Sequence, residues 1–199
     1  ALDDKTYTLP EGAVVIADAK AIESIGGVMG GAASGSSDET TDVFIEAAWF
    51  DPIAVASTGR ALKINSDARY RFERGVDPEF TITGLNMATQ MVLDLCGGEA
   101  SDIVTAGVVP DHSRAYRLDT QRVVSLVGME IDADVQRNTL EMLGFRMEGD
   151  MAQVPSWRPD VQGEADLIEE IARIASLTQL VGTPLPRPRA GVPQPVLTP

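Results

Sequence analysis

Three groups of residues in this chain have types and spacings that could do chemistry. The first is the segment SDARYRFERGVDP, residues 66–78, where Arg69, Arg71 and Arg74 alternate with Tyr70 and Phe72 ahead of a Gly-Val-Asp-Pro turn. Arg60 and Lys63 stand just before it, and Asp67 and Glu73 are the only acids between residues 60 and 74. A basic island in a chain of net charge −14 needs either internal carboxylate partners or an anionic ligand, a phosphate or carboxylate, which a planar guanidinium grips well. The second group is the glycine-rich GGVMGG, residues 26–31, together with Glu46 inside the apolar run VFIEAAWF, residues 43–50. The glycine spacing matches neither a dinucleotide fingerprint nor a phosphate loop; it indicates close backbone approach or unusual turns. A carboxylate in a buried strand is costly without a partner. Glu46 therefore meets either an arginine of the island or a ligand hydroxyl or amine in a small pocket floored by glycine backbone. The third group is Asp160, Asp166, Glu169 and Glu170. The last three, at i, i+3 and i+4, share one helical face, with Asp160 placed to fold back over the first turn. Like charges so close repel, and the helix dipole offsets part of that. The cluster is either a solvated acidic helix start or an all-oxygen site for a hard cation such as magnesium.

The elements that must position these groups are legible in outline. AVVIA, residues 13–17, reads as a short buried strand, with Asp3-Asp4 as a hairpin turn before it. Residues 43–50 read as a second buried strand. Asp51-Pro52 opens a helix, Pro52 at its first position, that ends at Thr58-Gly59. The island follows as helix or turn. Residues 79–96 carry apolar groups at a helical period and close on Gly97-Gly98, and residues 103–109 read as another strand. A second unit starts near Ser113. It holds a strand at 116–118, a helix capped by Asp119 or Thr120 and ended by Gly128, and a helix capped by Asp134 with Gly144 beyond it. A hairpin turning at Glu148-Gly149-Asp150 follows, then a helix from about Glu164 to Leu177. Residues 183–199 hold six of the twelve prolines and read as a linker. The expected organisation is α+β: residues 1–113 as a first unit, 114–182 as a small winged-helix-like unit, and 183–199 as linker.

Composition narrows the function classes. The chain has 199 residues and 44% hydrophobic content, enough for one or two real cores. Its strong acidity argues against a free-standing nucleic-acid binder. A lone cysteine, Cys96, allows no internal disulfide and no thiolate metal site. A lone histidine, His112, is the single imidazole base on offer, and it lies in a polar Pro-Asp-His-Ser loop. No apolar run reaches the ~20 residues of a membrane span and no signal-peptide pattern opens the sequence, so a cytosolic protein is expected. The absent initiator Met and the hairpin-like opening predict an excised piece of a longer chain.

With these motifs in hand, GGVMGG (26–31), SDARYRFERGVDP (66–78), CGGEASDIV (96–104), VPSWRPD (154–160) and EADLIEEIARI (164–174) together resemble the beta subunits of bacterial phenylalanyl-tRNA synthetases, in order and over nearly the whole chain. The resemblance implies that residues 1–113 correspond to the C-terminal part of a mixed-sheet tRNA-editing module and 114–182 to the DNA-binding-like module after it. It also implies a parent enzyme that joins phenylalanine to tRNA with ATP and magnesium in an alpha2-beta2 assembly with an alpha subunit, ATP not being bound here and neither DNA nor membrane being a partner. In the family the editing pocket recognises a mischarged tyrosine. The resemblance assigns its phenolic hydroxyl to Glu46 and the pocket lining to Gly30, Gly31, Ser66 and Ala68. It assigns magnesium to Asp160, Asp166, Glu169 and Glu170, shared with the alpha subunit. Departures accompany it. The family's editing histidine would lie upstream of residue 1, and His112 does not replace it, so no catalytic residue is expected in this chain and its isolated activity is expected to be nil. Arg69 stands where the family has a small or polar residue, and Ala175-Ser176 replaces a Gly-Tyr after the last helix. The rival reading is a non-catalytic structural or interaction module.

Overall fold

The computed structural model describes residues 1–186; the tail from 187 onward lies outside it, and so does most of the expected proline-rich linker. The first unit begins with three short strands, β1 (Val15–Ala17), β2 (Ile22–Ile25) and β3 (Met29–Gly30), paired antiparallel in that order. Helices α1 (Pro52–Leu62) and α2 (Asp67–Phe72) follow, then a 3₁₀ turn (Pro78–Phe80) leading into α3 (Thr81–Cys96). Ile25, Val28, Val55 and Ile64 form a small core that joins the glycine-rich turn to α1, flanked by Phe50 and Phe72, whose ring centroids lie 5.2 Å apart.

The second unit runs β4 (Ala115–Arg117), α4 (Thr120–Val127), α5 (Ala133–Met142), β5 (Arg146–Glu148), β6 (Met151–Gln153) and α6 (Glu164–Ala175). Its antiparallel sheet has the order β4-β6-β5. Leu140, Leu167, Ile168 and Ile171 are fully buried at its centre. The molecule is α+β, and both sheets are antiparallel rather than mixed.

Several boundaries follow from local chemistry. Asp51 caps α1, its Oδ1 accepting from Ala54 N at 2.8 Å with Pro52 just inside the helix. Asp119 caps α4 through Gln121 N, and Gly128 ends it with a left-handed residue. Gly149, at φ 64°, makes the tight turn between β5 and β6.

Other expectations are corrected. Residues 43–50 form no strand: Val43 and Phe44 are exposed, and no neighbour pairs with this segment among the described residues. Residues 103–109 are likewise exposed and form no strand among the described residues, with a bend at Gly107. Both runs are apolar enough for a strand, but a strand needs a ladder partner for its backbone groups. β1 is present but only partly covered, with an exposed–intermediate–exposed pattern. Asp3-Asp4 turns the chain, yet no strand precedes it; Leu2 instead donates its N–H to Gly30 O. α1 does not stop at Thr58-Gly59 but runs on to a left-handed Lys63. Gly59 is a packing residue: a Cβ there would collide with the Arg69 side chain of α2. Asp132, not Asp134, occupies the cap position of α5, and Asp134 lies in its first turn.

Candidate functional site

A cavity of about 520 Å³ opens between the glycine-rich turn, the 46–50 segment, α2 and the start of α3. Its walls are mostly apolar, with Ile25, Val28, Phe50 and Phe72, while Ser24, Glu46, Asp77 and Thr81 supply polar groups. The turn can floor it because of its glycines. Gly27 takes φ 68°, a left-handed conformation in which a side chain would press on Phe50 and Val55. A Cβ on Gly31 would strike the carbonyl of Glu23, to which Gly31 donates its N–H at 2.8 Å.

The structure distributes the expected pocket residues unevenly. Gly30, Glu46 and Ala68 line this one cavity. Gly31 does not; it lines an adjoining recess of about 260 Å³ with Lys5, Tyr7 and Ile22. Ser66 lines neither. Its hydroxyl caps α2, accepting from Arg69 N at 3.1 Å, and donates to Val28 O, which fastens α2 to the glycine-rich turn. Glu46 sits in an irregular segment rather than a buried strand, and it is partly exposed. Even so, the apolar surroundings raise its pKa above the usual 4.5 by desolvation. No ion pair reaches it among the described residues.

Only part of the basic island looks inward: Arg69 is half-buried, whereas Arg60, Lys63, Arg71 and Arg74 are exposed. Arg69 Nε pairs with Glu73 at 2.9 Å and its Nη1 donates to Ile64 O at 2.6 Å. Arg74 stacks 3.7 Å over the Tyr70 ring and also reaches Glu73. Internal pairing thus accounts for two of its arginines and leaves Glu46 without a cationic partner. Sequence reasoning missed Phe50, Phe72, Asp77 and Thr81 as wall residues. The Asp77-Pro78 pair was the available signal for one of them: Asp77 Oδ1 caps the 3₁₀ turn by accepting from Glu79 N at 3.0 Å. His112 is bound to Glu79 at 2.9 Å and to Pro110 O, outside the cavity.

The four carboxylates of the second unit are not brought together. Asp166 folds back to accept from Gln162 N at 2.8 Å, satisfying a donor at the helix start. Glu169 is exposed, whereas Glu170 is buried at 9% exposure, so the expected single exposed face does not form. Arg158, two residues before Asp160, stands between Asp160 and Glu170 and bonds to both. No group of three or more metal-ligating side chains is gathered among the described residues. Of the four, Asp160 and Glu170 are engaged by guanidinium and Asp166 by the Gln162 amide, so the set as arranged here does not fit that ion in this chain.

Comparison with known proteins places this geometry. The family model described as "B3/4 domain" matches residues 1–97, and the one described as "tRNA synthetase B5 domain" matches residues 116–176. Proteins named "Phenylalanine--tRNA ligase beta subunit" from Cereibacter sphaeroides and Ruegeria pomeroyi are 67% and 66% identical over all 199 residues, and one from Paramagnetospirillum magneticum is 48% identical. The chain belongs to the phenylalanine--tRNA ligase beta-subunit family. It spans about a quarter of the length of these relatives, 25% in each case. The first matched region carries the 520 Å³ cavity, and the second carries the Arg158 cluster. No helix among the described residues is long and apolar enough to cross a membrane.

Proposed function

We propose that this region serves the proofreading of mischarged tyrosyl-tRNA within a cytosolic phenylalanine–tRNA ligase, with residues 1–113 as part of the editing module, 114–182 as the adjoining module and 183–199 as linker. The parent enzyme would join phenylalanine to tRNA with ATP and magnesium as an alpha2-beta2 assembly. The observation that carries the reading is Glu46, a carboxylate without a cationic partner among the described residues, at an otherwise largely apolar cavity beside Gly30 and Ala68. A side chain of that kind accepts a hydrogen bond from a phenolic hydroxyl and has no use for a phenyl ring. A site built to bond a hydroxyl can separate analogues by ~10⁴ or more. Gly31 and Ser66 enter as supports: Gly31 through the backbone contact that shapes the turn, Ser66 through its bridge from α2 to Val28.

Hydrolysis of an aminoacyl ester needs a positioned water and a base or an oxyanion partner. His112, tied to Glu79, does not supply the base at this cavity. The chain therefore contributes recognition, and residues 1–199 alone do not hydrolyse the ester. The test is deacylation of tyrosyl-tRNA by the assembled enzyme. Glu46→Ala should slow it roughly 10- to 100-fold, the worth of a hydrogen bond to a charged group, with phenylalanine charging nearly unchanged. Equal rates in the two enzymes would overturn the reading.

A purely architectural role is the second reading. It is favoured by α3, in which no residue is buried, so that its apolar side awaits another surface.

A further inference from the structure

We infer that Arg158, and not a divalent ion, is the counter-cation of Asp160 and Glu170, and that this cluster is a latch fixing the 155–161 loop to α6 at the junction of the two units. The geometry is that of a guanidinium fork. Arg158 Nε lies 2.9 Å from Asp160 Oδ1, and its Nη2 lies 2.7 Å from Asp160 Oδ2 and 3.0 Å from Glu170 Oε1. Arg173 takes the other Glu170 oxygen from the next turn of the helix. The Arg158 side chain is itself mostly covered, and its guanidinium lies 5.9 Å from the Phe145 ring centroid.

The backbone of the loop is held by a second arginine. Arg114, just before β4, donates to the carbonyls of Arg158, Pro159 and Val161 at 2.8, 3.0 and 2.8 Å. One arginine thus fastens the loop's main chain to the sheet, and the other fastens its side chains to α6. The loop in turn meets the first unit: Pro159 lies against Gly75, where an added Cβ would come within 3.0 Å of the proline ring. Gly75 directly precedes the segment that brings Asp77 to the cavity wall.

Magnesium demands near-octahedral oxygen donors at about 2.0–2.1 Å and gives up its waters reluctantly. An ion on the Asp160 and Glu170 oxygens would have to expel Arg158, which approaches them closely already. Both Asp160 oxygens are taken by Arg158, and the two Glu170 oxygens are taken by Arg158 and Arg173. Both carboxylates therefore have their countercharge from within the chain.

The decisive measurements use the 199-residue chain with magnesium chloride as the probe. For the unaltered chain, thermal unfolding in 10 mM magnesium chloride should match that in sodium chloride of equal ionic strength to within about 1 °C. A site filled at a hundred times its Kd would raise Tm by roughly 5 °C or more. Calorimetric titration should show no saturable heat that Glu170→Gln abolishes. Arg158→Gln should lower Tm, and Arg158→Lys should lower it nearly as far, because an ammonium cannot reproduce the fork. Arg158→Gln combined with Glu170→Gln should recover part of the loss, since the buried charge is then gone. A magnesium-dependent rise in Tm or a saturable heat in the unaltered chain, lost in Glu170→Gln, would overturn the inference even if every Arg158 variant failed to fold. An Arg158→Gln chain as stable as the unaltered one would overturn it too.

Discussion

Glu46 illustrates how much a single side chain's surroundings decide. Its carboxyl is pushed above 4.5 by apolar neighbours and has no cation among the described residues to offset them. The sign follows directly. A folded-state pKa raised above the unfolded value means that the folded chain binds this proton more tightly, so stability contributed by the neutral form is present at low pH and lost as pH rises through the folded pKa. At neutral pH the ionised group opposes folding slightly, and Glu46→Gln should leave Tm equal or raise it at pH 7, with the difference vanishing near pH 4. A fall in Tm at pH 7 would mean that the carboxylate has a stabilising partner. The Arg158 cluster has the opposite sign. Asp160 and Glu170 are held below 3.8 and 4.5 respectively. Their contribution is present above those values and is lost as pH falls through the depressed ones, so acid should unfold the second unit in that window. Chemical-shift titration of the two carboxyls would check it; midpoints at or above the usual values would contradict the pairing.

Among the elements, α1 and α2 show a conflict between propensity and packing. Glycine inside a helix costs about 1 kcal/mol relative to alanine, yet Gly59 lies within α1, buried beneath Arg69. Arg69 cannot retreat cheaply, because Glu73 and the Ile64 carbonyl hold its guanidinium. Gly59→Ala should therefore destabilise by about 1–3 kcal/mol through overpacking. In an Arg69→Ala background the same change should stabilise by roughly 0.5–1 kcal/mol, the helix preference alone. Denaturant midpoints for the four chains decide it, and the same sign in both backgrounds would refute the packing account. This pair also shows where sequence reading stops. Caps and turns such as Asp51-Pro52, Asp119 and Gly149 carry their signal locally and were legible. Gly59 resembled a helix stop because its true partner is ten residues away across a helix–helix contact. The runs 43–50 and 103–109 carry strand composition, but a ladder partner cannot be read from the run itself. At the site, the GGVMGG turn and Glu46 were recognisable by type, whereas Phe50, Phe72 and Asp77 become walls only after α1 and α2 have packed. In the acidic cluster the helical spacing was legible, whereas the burial of Glu170 against Arg158 was not, because that arginine arrives from a loop.

At the scale of the whole molecule the two units are unequally finished. The second has a continuous core in which Leu140, Leu167, Ile168 and Ile171 are fully buried between sheet and helices. The first has four buried residues in its cluster and a 16-residue helix, α3, with none. Met87, Met91 and Leu95 recur every fourth residue along α3 and stand 61%, 64% and 79% exposed. A helix of this length draws most of its stability from packing rather than propensity. With its apolar stripe in water, α3 has only half-buried contacts, through Leu85, Val92 and Leu93, and the turn at Pro78–Phe80 to add to its hydrogen bonds. Local stability should follow that division. Amide hydrogen exchange of the 199-residue chain should be fast throughout residues 84–96 and slow in α6 around Leu167–Ile171, with protection factors differing by two orders of magnitude or more. In a subunit of the relatives' full length, which is about four times that of this chain, the same α3 amides should gain protection while those of α6 change little, because α6 already has its core. Equal protection of α3 and α6 in the 199-residue chain would show that α3 is stabilised without cover. Unchanged fast exchange of α3 in the longer subunit would show that its stripe faces solvent there as well, and would remove the observation that favours an architectural role.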